Sequence, residues 1–212
     1  MNNYQIKITL ISDTLIGSGE GYGTIIDTDI IQDEMGLPYI PAKRIKGILL
    51  ESAEMLNAMF ENFNLSFPTE KIFGIIGQTA GELYLNNLYI ENYEEITKWL
   101  VFLKFKSPLI NKQRILNQLT SIRHSTAIDS DTKIAKEHSL RTERVINKNL
   151  AFTGEVEIDS KDEKYLSLIC QNIRRMGTKR NRGLGEVKVE FLRDNQNFYE
   201  EALSSLTSGK VS

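Results

Sequence analysis

Two prolines, Pro38 and Pro41, separate segments of different periodicity in the N-terminal third of the chain. β-Branched and acidic residues fill the segment 24–33, which favours an extended or hairpin conformation. The prolines keep the residues before them out of the α region. After Pro41 apolar residues recur every three to four positions, so the sequence predicts an amphipathic helix over 43–63.

This predicted helix begins with three cations, Lys43, Arg44 and Lys46. The start of a helix exposes unpaired N–H groups and the positive end of the dipole, so cations there cost stability unless an anion lies against them. The pattern indicates either a bound phosphate backbone or a solvated first turn.

Four glycines at alternate positions precede the extended segment. They do not form a dinucleotide-binding fingerprint, because no helix follows them directly. Either they let the backbone approach a ligand closely or they form a plain mobile loop. These glycines are Gly17, Gly19, Gly21 and Gly23.

Length and composition bound the class of protein. The 212 residues suit one domain, which we expect over 1–193 with an insertion at about 121–147 and a C-terminal tail over 194–212. The single Cys170 excludes an internal disulfide and a multi-cysteine zinc site. No apolar run predicts a signal peptide or a membrane span, so we expect a cytoplasmic protein.

The order of the predicted elements indicates the fold class. The segment 121–147 is polar and poor in large apolar residues, so it is expected to project as a long hairpin or arm. Without the insertions the order is strand, helix, strand, strand, helix, strand, which predicts an α+β, ferredoxin-like (RRM-type) βαββαβ core. The predicted strands are 4–11, 82–90, 149–158 and 183–192, and the helices are 43–63, a second packed helix at 93–104, and 162–176 ended by Gly177.

A basic, glycine-rich stretch lies between the last predicted helix and the last strand. Guanidinium groups suit phosphate oxygens and can stack on bases, and the glycines let the backbone wrap around an anion. The net charge of −2 argues against a nucleic-acid partner on average, but here the positive charge is clustered. We therefore favour RNA binding over a solvated loop for the cations Arg174, Arg175, Lys179, Arg180 and Arg182 with Gly177, Gly183 and Gly185.

Four patches of the chain resemble the RAMP superfamily, in particular the repeated backbone subunit of type III CRISPR effector complexes. They occur in the family's order and span most of the chain. The four are Ile26-Asp27-Thr28 with Asp33; Gly36 to Gly47; the hairpin called the thumb, with Thr126-Ala-Ile-Asp129, Ala135-Lys-Glu137, Leu140 and Glu143; and Gly177 to Gly185.

The resemblance implies a subunit that binds CRISPR RNA, assembles with further copies of itself and other type III subunits, and cleaves complementary single-stranded target RNA in antiviral defence. Asp27 would be catalytic with Mg²⁺ or another divalent cation, and Asp29 and Asp33 are candidate supporting acids. No structural zinc is expected. The implied RNA-binding residues are Lys43, Arg44, Lys46, Arg174, Arg175, Lys179, Arg180, Arg182, Gly183 and Gly185, and the thumb residues are Arg123, His124, Thr126, Ile128, Asp129 and Lys136.

Two alternatives share this fold. One is a non-catalytic RNA-binding scaffold or capping subunit. The other is a CRISPR repeat-processing endoribonuclease, which commonly uses a histidine as general base. Since His124 and His138 both fall in the thumb, away from the N-terminal half, the sequence disfavours the processing enzyme.

Overall fold

The computed structural model describes residues 3–18, 26–63, 65–75, 77–129, 131–134, 136, 139–180 and 182–208. The glycines Gly19, Gly21 and Gly23 and the thumb residues Ala135, Glu137 and His138 lie outside the described residues. Within the described ranges, no helix is long and apolar enough to cross a membrane.

The helices largely follow the predicted pattern, and three further helices, at 69–73, 112–119 and 199–208, lie outside the three predicted helical segments. They are α1 (Ala42–Phe60), continued by a 3₁₀ turn at Glu61–Phe63, then α2 (Thr69–Phe73), α3 (Tyr93–Lys106), α4 (Lys112–Leu119), α5 (Glu163–Asn172) and α6 (Tyr199–Ser208).

The strands form one larger sheet and two small hairpins. They are β1 (Tyr4–Leu10), β2 (Gly74–Ile75), β3 (Thr79–Ala80), β4 (Tyr84–Leu85), β5 (Tyr89–Ile90), β6 (Thr120–Ser125), β7 (Arg141–Ile146), β8 (Ala151–Glu157), β9 (Val187–Arg193) and β10 (Gln196–Asn197).

The larger sheet has the order β10-β9-β1-β8-β4, with β5 also paired to β8, and every pair is antiparallel. In β1 the alternation is strict, with Ile6 and Ile8 buried on the face that meets the helices and Lys7 on the other. Helix α5 packs on β9 and on α1, so the core lies between the sheet and these two helices. The α+β class is confirmed.

The predicted strand 82–90 is wrong as a single element, because the chain leaves the sheet at its centre. Leu88 exchanges two backbone hydrogen bonds with Ile40, at 2.8 and 2.9 Å. The side chain of Asn87 accepts a hydrogen bond of 2.9 Å from the N–H of Ala42, at the start of α1. The interruption therefore fixes where α1 begins relative to the sheet.

The end of the predicted helix 162–176 also needs correction. Helix α5 stops at Asn172, and Ile173 is extended so that its side chain enters the core. Gly177 lies beyond the helix, with φ of +82°, and a Cβ atom there would lie 2.5 Å from the carbonyl oxygen of Leu15. This glycine permits a close backbone contact rather than ending a helix.

Helix α3 packs against the edge of the core, as expected of a packed helix, through the half-buried Tyr93, Ile96 and Leu100. Within the described part of the chain none of its residues is fully buried, and Trp99 and Phe102 face solvent. The next helix, α4, adds the buried Ile115 and Leu116, and the Asn111 side chain accepts a 3.0 Å bond from the N–H of Arg114.

The predicted tail contributes to the core. A tight turn at Asp194-Asn195, both with positive φ, joins β9 to β10, and α6 then packs on α5. Phe198 and Ala202 are buried there.

The polar arm forms the hairpin β6–β7, as expected, but its base is part of the core. Val145 and Ile146 are fully buried, which the polar composition of the segment did not indicate. The base also carries Arg144, whose guanidinium forms a buried ion pair of 3.0 Å with Asp29. The same guanidinium donates to Asn117 at 3.0 Å and to Thr120 at 3.1 Å.

We predict that Arg144→Met lowers the free energy of unfolding by about 3–5 kcal/mol, because it leaves the carboxylate of Asp29 buried without its cation. The matched control is Arg123→Met in the paired strand. Arg123 forms an ion pair with Asp13, but its side chain is 50% exposed, so the loss should be about 0–1 kcal/mol. Denaturant unfolding measures both, and equally small losses would contradict the role of the buried pair.

Candidate functional site

The connection after β1, residues 13–18, contacts every element that the sequence singled out; we call it the hub segment. Thr14 exchanges backbone hydrogen bonds of 2.9 and 2.8 Å with Ile146 of the thumb. The carbonyl of Leu15 accepts a 3.0 Å bond from the N–H of Thr178. Thr178 lies in the connection 173–186 between α5 and β9, which we call the basic loop. Ser18 donates its N–H to the carbonyl of Asp29 at 2.9 Å.

Asp13 begins the hub segment and links three parts of the chain. Its carboxylate accepts from the Arg123 side chain at 2.6 Å and from the Lys148 N–H at 3.0 Å, and its carbonyl accepts from the Gly185 N–H at 2.9 Å. Burial by itself raises the pKa of Asp13, but the hydrogen bonds from Arg123 and Lys148 outweigh it and hold the pKa below its usual value.

The basic loop is closed at its base by backbone pairing. Arg175 pairs with Glu186, and the N–H of Met176 donates to the carbonyl of Gly185 at 2.8 Å. Gly185 has φ of +76°, and a Cβ atom there would lie 2.0 Å from the Met176 carbonyl oxygen. Only glycine fits at this crossing.

A groove of about 550 Å³ runs between the hub segment, the start of α1 and the basic loop. Lys43, Arg44 and Arg180 supply its positive charge. The guanidinium of Arg44 donates to the carbonyl of Gly17 at 3.2 Å, and that of Arg180 contacts Glu51 at 3.2 Å. The apolar part of its wall is formed by Leu15, Ile16, Ile48 and Met176.

The predicted cation cluster does not act as one surface. Lys179 forms a 2.5 Å ion pair with Glu143 of the thumb, and both side chains are mostly buried. Arg174 lines a separate cavity against α6, and Arg175 donates to the carbonyl of Arg180. Arg182 and Gly183 are exposed on the loop.

The groove therefore gathers three of the predicted cations, which include Lys43 and Arg44 on the first turn of α1, while Lys46 lies half-buried just beyond that turn. That turn contains no acidic residue, and Pro41 provides no side-chain cap.

Asp27 is exposed and attached to the thumb. Its N–H donates to the carbonyl of Thr142 at 2.9 Å, and its Oδ2 accepts from the Thr142 N–H at 2.7 Å. Thr28 continues this contact as a parallel bridge to Glu143. The position of the Asp27 carboxylate is thus set by the second strand of the thumb.

The other two acids are held away from Asp27 because the segment 26–33 is not a regular strand. Asp29 is buried against Arg144. Asp33 Oδ1 accepts from the N–H groups of Met35 and Leu37, both at 2.8 Å, and its Oδ2 accepts from the Tyr93 hydroxyl at 2.8 Å. Burial and Asp33 together raise the pKa of Tyr93 to about 12.

Most of the described thumb residues beyond the base are exposed. Thr126 and Ile128 lie in the open, and Asp129 caps the turn by accepting from the N–H groups of Asp131 and Thr132, each at 3.0 Å. These backbone hydrogen bonds, from Thr132 first and then Asp131, lower the pKa of Asp129. Lys136 contacts Asp129 at 3.5 Å.

The structure places His124 close to Asp27, although the two residues are far apart in the sequence. His124 Nδ1 lies 3.1 Å from Thr142 Oγ1, in the directly opposed pair of the β6–β7 ladder. Thr142 thus contacts both His124 and Asp27. The sequence analysis did not identify Thr142 or the hub segment. The return of apolar residues at Val145 and Ile146 was the one sign that the strand carrying Thr142 enters the core, where Thr14 pairs with it.

Asp27 offers an exposed carboxylate to a metal ion, whereas Glu51, an exposed acid that lines the groove, is paired with Arg180. Among the described residues, no group of three or more His, Cys, Asp or Glu side chains could hold a metal. This fits a Mg²⁺ ion that keeps most of its waters and is shared with phosphate oxygens, and it does not fit a site built from protein alone. Asp27 would be the protein ligand.

Comparisons with known proteins address the family. No curated protein matches the sequence. Two similar solved structures are chains of the type III-B Cmr-beta complex, studied by cryo-electron microscopy. The chain from the complex bound to cognate target RNA gives a TM-score of 0.66 at 15% identity, covering 89% of this chain and 96% of that one. The chain from the apo state gives 0.63 at 15% identity, covering 92% and 98%.

At 15% identity these two structures establish only the shared fold. The family itself is identified by sequence. The model of the RAMP superfamily matches residues 7–188, a range that contains most of β1 and all of the groove, the thumb and the basic loop. The chain belongs to the RAMP superfamily.

Proposed function

We propose that this chain is an RNA-binding subunit of a type III CRISPR effector complex, which holds the CRISPR RNA by its phosphates and cleaves the paired target RNA at Asp27. The observation that carries the proposal is that the cationic groove and residues 26–33, which contain Asp27 and which we call the Asp27 segment, both contact the hub segment. A phosphate backbone lying in the groove would pass along Leu15 and Gly17 of the hub segment. The same segment holds the thumb through Thr14 and the segment 26–33, which contains Asp27, through Ser18.

The groove suits a phosphate backbone rather than a set of specific bases. Lys43, Arg44 and Arg180 come from two elements that face each other across it. Cations at this position destabilise the start of the helix, and a bound anion offsets this cost. The apolar wall gives a ribose or an unstacked base a surface to contact without reading its identity.

The open face of the sheet is a poorer RNA site in this chain. RRM modules stack two or three bases on aromatic side chains of the central strands. On the central strands β9, β1 and β8 that face carries residues such as Lys7, Thr153, Glu155 and Glu190 and no aromatic side chain. Tyr84 and Tyr89 share the face but lie on the short edge strands β4 and β5. Binding would therefore depend on the groove.

The thumb supports a role in dividing the RNA duplex at intervals. Ile128, Ile134 and Leu140 are 66%, 68% and 63% exposed. Aliphatic side chains so placed on a hairpin can wedge between base steps, as in proteins that unstack a duplex. Since the base of the thumb holds Asp27 through Thr142, an inserted thumb would place this carboxylate beside the distorted strand.

Cleavage requires charge stabilisation at the phosphate. The chemistry that a bound Mg²⁺ supplies is stabilisation of the negative charge that develops as a 2′-hydroxyl attacks the adjacent phosphate. Asp27 would hold the ion, and Thr142 fixes the carboxylate by its 2.7 Å hydrogen bond. His124, on the other side of Thr142, is the candidate for proton transfer if the chain is instead a repeat-processing nuclease.

Phosphate-based binding predicts uniform sensitivity to charge removal in the groove. Lys43→Ala should weaken the binding of every RNA sequence alike and lower the slope of log affinity against log salt by about 1. Lys188→Ala is the matched control, because Lys188 is also exposed but lies on the open face of β9. Filter binding over a salt series measures both, and an equal loss for Lys188→Ala would contradict the groove.

Asp27→Asn should abolish target cleavage while RNA affinity stays the same or rises slightly. The amide oxygen can still accept from the Thr142 N–H, so the geometry is kept, and a carboxylate that repels phosphate is removed. Asp33→Asn, the control, should keep cleavage because Asp33 shapes the turn. Chelation of divalent cations should also stop cleavage.

The same assay separates the alternatives. Full cleavage by Asp27→Asn would place the chain in the scaffold class. Loss of cleavage only in His124→Gln, with cuts in the repeat, would indicate the processing nuclease.

A further inference from the structure

Helix α3 presents an aromatic face to solvent. Trp99, Phe102 and Phe105 are 58%, 50% and 87% exposed, and their spacing of three places them along one side of the helix. The rings of Trp99 and Phe102 pack edge to face with centroids 6.1 Å apart. We call these three residues the α3 face. Contiguous apolar patches of this kind usually mark an interaction site.

The surroundings of the α3 face are basic. From Tyr93 to Arg114 the chain has five cations against two acidic residues, Glu94 and Glu95, which lie in the first turn of α3. One of them, Lys106, lies with its ammonium 5.6 Å from the centroid of the Phe102 ring. A complementary partner must therefore be apolar at its centre and acidic at its rim.

The chain itself carries a surface of this kind. On α1, Met55 and Met59 are 54% and 61% exposed, and Ala58 between them is exposed as well; these three residues form the α1 face. Residues 47–70 contain four acids and no cation. Methionine side chains adapt to irregular surfaces and make favourable contacts with aromatic rings, and alanine leaves a gap that a ring can enter.

We propose that the α3 face of one copy of this chain docks on the α1 face of the next copy. The two faces differ, so the contact is heterologous and leaves one face of each kind free at the ends of an assembly. This deepens the proposed function, since it names the contact by which copies would line up on an RNA. None of the residues in the two faces was assigned to RNA binding above.

The acids beside the α1 face differ in whether they are free to pair with the lysines beside the α3 face. Glu51 is already paired with Arg180 at 3.2 Å, so Glu54 and Glu61 are the acids that oppose Lys98 and Lys106. Aromatic rings beside lysines could also stack on the bases of a nucleic acid, which the test below therefore includes as an outcome. Exposed Val101, Leu103 and Leu109 extend the α3 face with aliphatic side chains, which favours a protein partner.

The test uses two charge-reversed variants, Lys98→Glu with Lys106→Glu and Glu54→Lys with Glu61→Lys, in the absence of RNA. All four positions are exposed, so the fold should be kept. Sedimentation velocity should show concentration-dependent association of the native chain at about 0.1–0.5 mM, where even weak contacts register. Each variant alone should stay monomeric, because both of its faces then carry the same sign.

An equimolar mixture of the two variants should associate again. In the mixture each native face meets a native face of opposite charge, and each reversed face meets a reversed one. A native chain that stays monomeric throughout this range, variants that associate like the native chain, or a mixture that stays monomeric would each overturn the inference.

A separate readout distinguishes this inference from the proposed function. Both variants should bind a short RNA that holds one copy with native affinity. A native chain that associates but binds no RNA would refute the proposed function and leave the inference standing. If Lys98→Glu with Lys106→Glu lowers RNA affinity and leaves association unchanged, the α3 face is a nucleic-acid surface and the inference is wrong.

Discussion

The hub segment is the constraint on which the arrangement of this site depends. Six residues that follow the central strand β1 pair with the base of the thumb through Thr14, with the basic loop through Leu15, and with the Asp27 segment through Ser18. Two of its residues, Leu15 and Ile16, are buried in the core and also line the groove. A displacement of this segment would therefore alter the groove and the thumb together.

The thumb transmits this constraint to Asp27. Its second strand holds Asp27 through Thr142, Lys179 through Glu143, and Asp29 through Arg144, in three consecutive residues. The last two contacts are buried ion pairs, which are costly to break from one side. The exposed described residues of the tip can then meet RNA while these contacts keep Asp27 and the basic loop in one relation.

The sequence predicted what depends on local periodicity. Strand alternation gave β1, β8 and β9, and helical spacing gave α1, because each buries one face against the same core. It failed where tertiary pairing overrides local pattern. Leu88 pairs with Ile40 and breaks a predicted strand, and Gly177 serves a contact with Leu15 instead of a helix end. Cation spacing could not reveal that Lys179 is paired with Glu143.

Under the proposed function, RNA lies in the groove beside the hub segment and not on the open face of the sheet. Photo-cross-linking of an RNA containing 4-thiouridine, followed by peptide mapping, distinguishes the two surfaces. Cross-links are expected within residues 15–17, 43–48 and 176–182. Cross-links concentrated on the open face of β1, β8 and β9 would refute binding in the groove.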